Sequence, residues 1–179
     1  MRLSGRNFSL RPWKMEDAEQ LSRHANNPRV AASLRDAFPH PYTLEDARSW
    51  LAALEEDPSD DVIMAIEVDA EAVGGIGLHA MKDVYRYNAE LGYWLSESYW
   101  GKGIVSEAVA LMLELAFTRR HWLRVFASVF ENNVGSMRVL EKNGFSRESV
   151  QRAAVMKGGQ RLDEHVYAIL REEWESTSK

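Results

Sequence analysis

The chain contains no cysteine among its 179 residues. That absence excludes a disulfide framework, a thiolate metal site and any acyl intermediate carried on a cysteine. Proline is scarce, at 5 residues, and Pro28, Pro39 and Pro41 fall in one stretch, so only that stretch is strongly punctuated. A long hydrophobic run is also missing. Ile104 to Phe117 is the most apolar region, and Glu107 and Glu114 break it well short of a bilayer span. Met1 to Leu10 does not resemble a signal peptide, because Arg2, Arg6 and Asn7 interrupt it, so a cytoplasmic location and no membrane partner are expected. Positive charge is in deficit: 22 Lys and Arg stand against 27 Asp and Glu, a net −5 that carries no footprint for nucleic acid. The five histidines, His24, His40, His79, His121 and His165, show no ligand spacing, and no metal site is expected.

What is present is ordinary for one soluble domain spanning residues 1–179, with 45% hydrophobic and 27% charged residues. Phe8, Leu10 and Pro12 suggest a short opening strand, and Met15, Ala18, Leu21 and Ala25 repeat at helical spacing within 14–26. Val30 to Leu34 is at most a short helix, and Phe38 to Tyr42 reads as a loop. Thr43 then caps a helix whose apolar stripe is Leu44, Ala47, Trp50, Leu51 and Leu54. The acidic stretch Glu55 to Asp61 reads as a solvated loop. Beyond it the period shifts toward two, predicting an antiparallel meander at 62–68, 73–81 and 89–96.

Gly101 to Arg119 predicts a buried helix, Leu123 to Phe130 a strand, and Val134 to Lys142 a short helix stopped by Asn143-Gly144. Two final strands, 147–157 and 161–171, meet at a Gly158-Gly159 turn. Strand, helix, strand in the middle of the chain requires a crossover and a locally parallel pair, so the fold class is mixed α/β.

The most informative segment runs from Glu90 to Ala108, where a strand passes through a loop holding Gly101 and Gly103 into the buried helix. The unpaired amides of a helix's first turn form an anion site, and glycines let a phosphate approach the backbone. A P-loop is excluded, since it needs Gly at 96 and Ser or Thr at 103, where Ser96 and Gly103 stand; a dinucleotide fingerprint needs Gly at 106, which is Ser106. Without a further signal, the same glycines are equally an unliganded loop.

A second segment, Phe130 to Phe145, supplies that signal. Glu-x-Gly-Tyr-Trp-Leu at 90–95, Trp-Gly-Lys-Gly-Ile at 100–104, Ser-Glu-Ala at 106–108 and Asn-x-x-Ser-x-x-Val-Leu-Glu-Lys-x-Gly-Phe at 133–145 together resemble the GCN5-related N-acetyltransferase (GNAT) superfamily. The closer likeness is to its ribosomal-protein N-terminal branch, the RimJ/RimL type. The opening Phe-Ser-Leu-Arg-Pro-Trp at 8–13 and Asp17 also fit, so the resemblance covers nearly the whole chain. One departure stands out: Ser98 occupies the position where the superfamily's pyrophosphate loop often has Gln or Arg.

The resemblance implies a mixed, mostly antiparallel sheet of about seven strands with helices on both faces, the fourth and fifth strands splayed around the cofactor. It implies acetyl-CoA as the acyl donor. Amides from Trp100 through Gly101, Lys102, Gly103 and Ile104 to Val105, with Ser106 beside them, would hold the pyrophosphate, and the backbone of Trp94, Leu95 and Ser96 the pantetheine arm. The Asn133 side-chain amide would bond the pantetheine end, with Ser136 one helical turn later. Transfer would pass directly from thioester to amine, in agreement with the missing cysteine.

Direct transfer needs a base, a site for the oxyanion and a proton for the thiolate. The assignments are Glu90 on the cofactor strand as base and, by the family likeness, the backbone amide near Leu95 at the oxyanion and Ser136 as acid, since related enzymes place a hydroxyl there where many other members use a tyrosine that this helix lacks. The bland readings stay open: Glu90 as a strand carboxylate paired with a neighbour such as Arg86, and Ser136 as a packing serine. His40 falls in the loop where relatives form part of the acceptor cleft. The expected acceptor is a protein N-terminal α-amine with Ser or Ala first. A small-molecule amine such as a polyamine, antibiotic or amino acid is the alternative, and a non-catalytic acyl-CoA-binding module is the alternative of another class. A monomer and a homodimer are both compatible with the sequence.

Overall fold

The computed structural model describes residues 1–177. Strands β1 (Leu3–Ser4) and β2 (Ser9–Pro12) precede helices α1 (Ala18–Ala25), α2 (Pro28–Ala31) and α3 (Leu44–Glu56). The meander β3 (Val62–Val68), β4 (Glu71–Ala80) and β5 (Asn88–Leu95) follows, then α4 (Ile104–Thr118), β6 (Arg124–Phe130) and α5 (Val134–Lys142). The chain closes with β7 (Ser146–Lys157), β8 (Gln160–Leu170) and α6 (Arg171–Thr177). Among these residues no helix is long and apolar enough to cross a membrane.

The sheet has eight strands in the order β1-β2-β3-β4-β5-β6-β8-β7, against the expected seven or so. The added strand is Leu3–Ser4, which folds back on Leu10 and Ser9. Two residues are too few to show an alternating pattern. The C-terminal helix also went unforeseen, the last strand having been expected to run to Arg171. It ends at Leu170, whose amide donates to Glu173 Oε2 at 2.8 Å, and Trp174 packs 5.5 Å from the Phe117 ring. Near the start, Asn27 shifts the short helix upstream: its Oδ1 accepts the Arg29 amide at 2.8 Å, capping a turn that begins at Pro28.

Every neighbouring pair is antiparallel except β5 and β6, which the α4 crossover makes parallel. Side-chain alternation divides the core between two faces. Leu91 and Leu95 of β5, with Val125, Ala127 and Val129 of β6, pack beneath Ala108, Met112 and Leu140 of α4 and α5. On the other face Trp94 joins Leu21, Ala25, Ala47 and Leu51 of α1 and α3. Trp94 crosses β4 only because position 75 is glycine: a Cβ there would stand 2.8 Å from its indole nitrogen. The α3 cap forms as expected, with the Asp46 amide donating to Thr43 Oγ1 at 3.1 Å and the Thr43 amide to Asp46 Oδ2 at 2.8 Å.

A charged network fastens β2 to the α1 layer. Buried Arg11 grips Asp17 through two bonds, 2.7 and 2.8 Å, and its Nε meets Glu67. The hydrogen bond to Asp17 chiefly drives the guanidinium pKa upward, and Arg11 in turn holds the Glu67 carboxyl below the usual carboxylate range. Removing one partner strands a buried charge, so Asp17→Ala should cost about 3–5 kcal/mol in urea unfolding. An Arg11→Leu/Asp17→Leu pair should recover much of that loss. Because the folded-state pKa of Glu67 is depressed, its contribution is complete above the ordinary carboxylate value and drains as pH falls through the folded one. Glu67→Gln should therefore flatten the acid limb of a stability-against-pH curve.

Candidate active site

β5 and β6 pair at only three positions, Asn88↔Arg124, Ala89↔Val125 and Glu90↔Phe126, although β5 continues to Leu95 and β6 to Phe130. Beyond Glu90 the strands diverge. The Ser96 amide donates to Val73 O at 2.9 Å and the Met81 amide to Asn88 O at 3.0 Å, which sets the phase of the β4–β5 ladder. In that phase the backbone groups of Glu90, Gly92, Trp94 and Ser96 face β4, while those of Leu91, Tyr93 and Leu95 face the gap. The open edge therefore belongs to alternate residues. Leu95 lies on it; Trp94 and Ser96, expected there, spend their backbone bonds on β4. Leu95 O is occupied as well, accepting the Trp100 indole N–H at 2.7 Å.

The loop that follows delivers two glycines to the start of α4. Gly101 has φ +73° and Gly103, the residue before the helix, φ +78°. Both values suit glycine, and a Cβ at either would meet no atom within 4 Å. The space above them is open, and the first-turn amides beginning at Ile104, Val105 and Ser106 project from the positive end of the helix. Trp100 does not add its amide, contrary to expectation, since that N–H donates to Glu97 O at 3.1 Å. Trp100 instead fastens the loop through its indole bond, with the Arg29 guanidinium 5.3 Å above its ring and Glu97 held by Arg29 and Asn27. Lys102 is exposed, its Nζ 4.8 Å from the Tyr99 ring. Ser98 turns toward Ser96, with 3.3 Å between hydroxyls, and Ser106 Oγ accepts Asn143 Nδ2 at 3.3 Å, tying α4 to α5.

Across the gap, β6 ends at Phe130 and α5 begins. Asn133 Oδ1 caps that helix by accepting the Ser136 amide at 3.1 Å, which leaves its NH2 group without a partner among the described residues. The Ser136 hydroxyl lies 2.7 Å from the Tyr93 hydroxyl. Tyr93 is absent from the residues that the sequence motifs assign a role, because its partner lies on another element. The same alternation that aims Leu91 and Leu95 at α4 and α5 was the available signal. Burial pushes the Tyr93 phenol up to about 12, partly opposed by the Ser136 hydrogen bond, so it stays protonated at neutral pH.

Glu90 lies on the opposite face, 22% exposed, and its partner is Arg35 at 2.5 Å rather than Arg86. Arg86 instead stacks 4.9 Å from the Tyr87 ring. Asp36 beside Arg35 meets Lys157 at 2.6 Å, so the 32–43 segment is fastened to both β5 and the β7–β8 hairpin. Beneath it is a cavity of about 340 Å³ lined by Arg35, Asp36, Phe130, Met156, Lys157 and Glu164. A second, of about 230 Å³, adjoins Asn88 and Phe126 on the same face. His40 is exposed in the 32–43 segment, with no hydrogen-bond or ion-pair partner among the described residues. The arrangement is thus an open strand edge leading from a helix N-terminus to a carboxylate. Its residues fit an acyl-CoA: a thin extended arm, an anionic end above two glycines, and a reacting end beside Glu90.

Comparison with known proteins agrees. Residues 7–146 match the family model for the acetyltransferase (GNAT) domain. YjcK of Bacillus subtilis strain 168, a probable N-acetyltransferase, is 32% identical with 94% of this chain and 96% of its own covered. The same bacterium's "Putative ribosomal N-acetyltransferase YdaF" is 34% identical over 94% and 93%. Escherichia coli K12 spermidine N(1)-acetyltransferase is 28% identical over 81% and 76%. Among solved structures, a GNAT-family acetyltransferase from Bacillus anthracis superimposes with TM-score 0.82 at 25% identity, covering 96% and 99%. RimL, a ribosomal L7/L12 alpha-N-protein acetyltransferase solved with coenzyme A, shares the fold at TM-score 0.82 and 22% identity, covering 93% and 95%. Relatives named as N-acetyltransferases set the non-catalytic alternative aside, and with its strand gap and glycine-flanked helix start this chain belongs to the GNAT family of acetyltransferases.

Proposed function

We propose that the protein transfers acetyl from acetyl-CoA directly to a primary amine, with a protein N-terminal α-amine in the RimJ/RimL manner as the first acceptor class. The observation that carries this reading is the unpaired β5 edge between the α4 N-terminus and Glu90. Acetyl-CoA would supply an activated thioester carbonyl. Amides from Gly101 to Ser106 hold its pyrophosphate, with Lys102 adding charge. The outward groups of Leu91 and Tyr93 and the Leu95 amide bind the pantetheine arm as an added strand, and one of those amides meets the carbonyl oxygen as charge develops there. The Asn133 NH2 group bonds the arm near its sulfur end.

Glu90 draws the acceptor's ammonium group to the gap and removes its proton, directly or through water. The hydrogen-bonded Tyr93–Ser136 pair protonates the departing thiolate from the other face. This modifies the sequence assignment, in which Ser136 acted alone. A small amine is the second reading. Glu164 and Asp36 at the larger cavity would suit a second positive charge, and the spermidine acetyltransferase is a relative. Calorimetric titration with acetyl-CoA, then thiol release over Ser- and Ala-terminated peptides and a panel of small amines, separates the readings. Failure to bind acetyl-CoA sinks both.

Two variants probe the site. Gly103→Ala places a Cβ in the space above the helix start at a φ that disfavours it by about 1–2 kcal/mol, so KM for acetyl-CoA should rise roughly tenfold with kcat little changed. Glu90→Gln, and separately Tyr93→Phe with Ser136→Ala, should each lower kcat about 100-fold at saturating acetyl-CoA. Wild-type turnover in both would show that the acid and base lie elsewhere.

A further inference from the structure

The residue directly across β4–β5 from Glu90 is His79. The ladder phase makes them a hydrogen-bonded pair, about 5.5 Å between α-carbons, with side chains on the same face. The ring is fixed at one end. Its Nδ1 lies 2.8 Å from Asp61 Oδ2, and Asp61 is itself steadied by the Ala80 amide, which donates to Oδ1 at 2.8 Å. An ionised carboxylate only accepts, so the neutral ring carries its proton on Nδ1 and a lone pair on Nε2.

That lone pair is accessible. Nε2 lies 3.4 Å from where a Cβ of Gly77 would stand and 3.9 Å from that of Gly92, so two glycines leave the floor around it bare. The side chain is 47% exposed, and among the described residues nothing hydrogen-bonds to Nε2. Gly92 is on the cofactor strand, two residues beyond Glu90 and level with the strand gap. Of the two candidate proton acceptors on this face, Glu90 has Oε1 committed to Arg35, whereas His79 presents a free nitrogen already oriented by a carboxylate.

We propose that His79, oriented by Asp61, is the group on which the acceptor amine's proton comes to rest. The inference depends on the amine-acetylation reading above. An ammonium N–H bond breaks and its electron pair remains on the amine nitrogen. The proton, passed directly or through the water at Glu90, forms an N–H bond on His79 Nε2, and Asp61 stabilises the resulting imidazolium. The freed pair forms the C–N bond as the C–S bond breaks, the sulfur takes its proton from the Tyr93–Ser136 pair, the new amide nitrogen sheds its second proton to make good the one that pair gave up, and the imidazolium returns its proton to solvent. Glu90 then holds the ammonium group and takes its proton only in passing, handing it on to His79, and Asp61 is a positioning residue.

The alternative for the Asp61–His79 pair is a tie that fastens the segment leading into β3, and the test separates the two. His79→Gln can still donate to Asp61 and should unfold at the wild-type temperature and bind acetyl-CoA with wild-type affinity, while kcat falls about 100-fold on an amine that the wild type acetylates. His79→Ala should lose as much and recover at least tenfold with added imidazole. In the free enzyme, nitrogen NMR should show neutral His79 protonated on Nδ1. His79→Gln turning over within twofold of wild type, His79→Ala indifferent to imidazole, or an Nε2-protonated neutral ring each overturns the proposal. A wild type that binds acetyl-CoA yet acetylates no amine removes the underlying reading and this one with it; an active wild type beside an equally active His79→Gln removes this one alone.

Discussion

A strand that stays extended after losing its neighbour leaves a row of amides and carbonyls without partners, and buried backbone groups do not tolerate that cheaply. β5 does so from Leu91 to Leu95, once its pairing with β6 stops at Glu90 and Phe126. The surrounding features are arranged about this gap. The Trp100 indole satisfies one carbonyl at its upper end, the glycines at 101 and 103 turn the chain into α4 without covering it, and Asn133 caps α5 at its far rim. An extended ligand with alternating polar groups, such as the proposed acyl donor's arm, would complete the sheet at this place.

Strand parity then distributes the chemistry. Odd-numbered side chains of β5 point toward α4 and α5, so Tyr93 reaches Ser136; even-numbered ones point toward α1 and α3, so Glu90 reaches Arg35. A group bound along the strand edge is thereby approached from both faces at once. In the direct transfer proposed above no residue holds the acyl group between steps, so amine and thioester have to meet at this edge together. The sheet provides this by separating the two approaches by its own thickness.

Much of this framework was legible in the sequence because its signals are local. Thr43 and Asp46 announce a capped helix start, Gly158-Gly159 announces a hairpin, and Gly101 and Gly103 before an apolar run announce a helix N-terminus with room above it. The side-chain pairs that complete the site are not local. Arg35 meets Glu90 across 55 positions, Tyr93 meets Ser136 across 43, and Asp61 meets His79 across 18. Periodicity says which face of its own element a residue occupies, and nothing about which loop will be folded over that face. Hence sequence offers for Glu90 only a near neighbour such as Arg86, and Asp61 reads with its acidic neighbours as solvated.

The backbone contacts expected of Trp94, Leu95 and Ser96 divide for a related reason: a strand can offer an edge only with every second residue, here Leu95. Which set it offers depends on the phase of the ladder on its other side, fixed here by the bonds from Ser96 to Val73 and from Met81 to Asn88. A one-residue slip of β4 would exchange the sets, turning the backbone groups of Trp94 toward the gap and those of Tyr93 away. Register between β4 and β5 therefore decides which backbone groups the gap receives. The pairs Trp94 over Gly75 and His79 opposite Glu90 hold it, because a side chain at 75 would collide with the indole in this register.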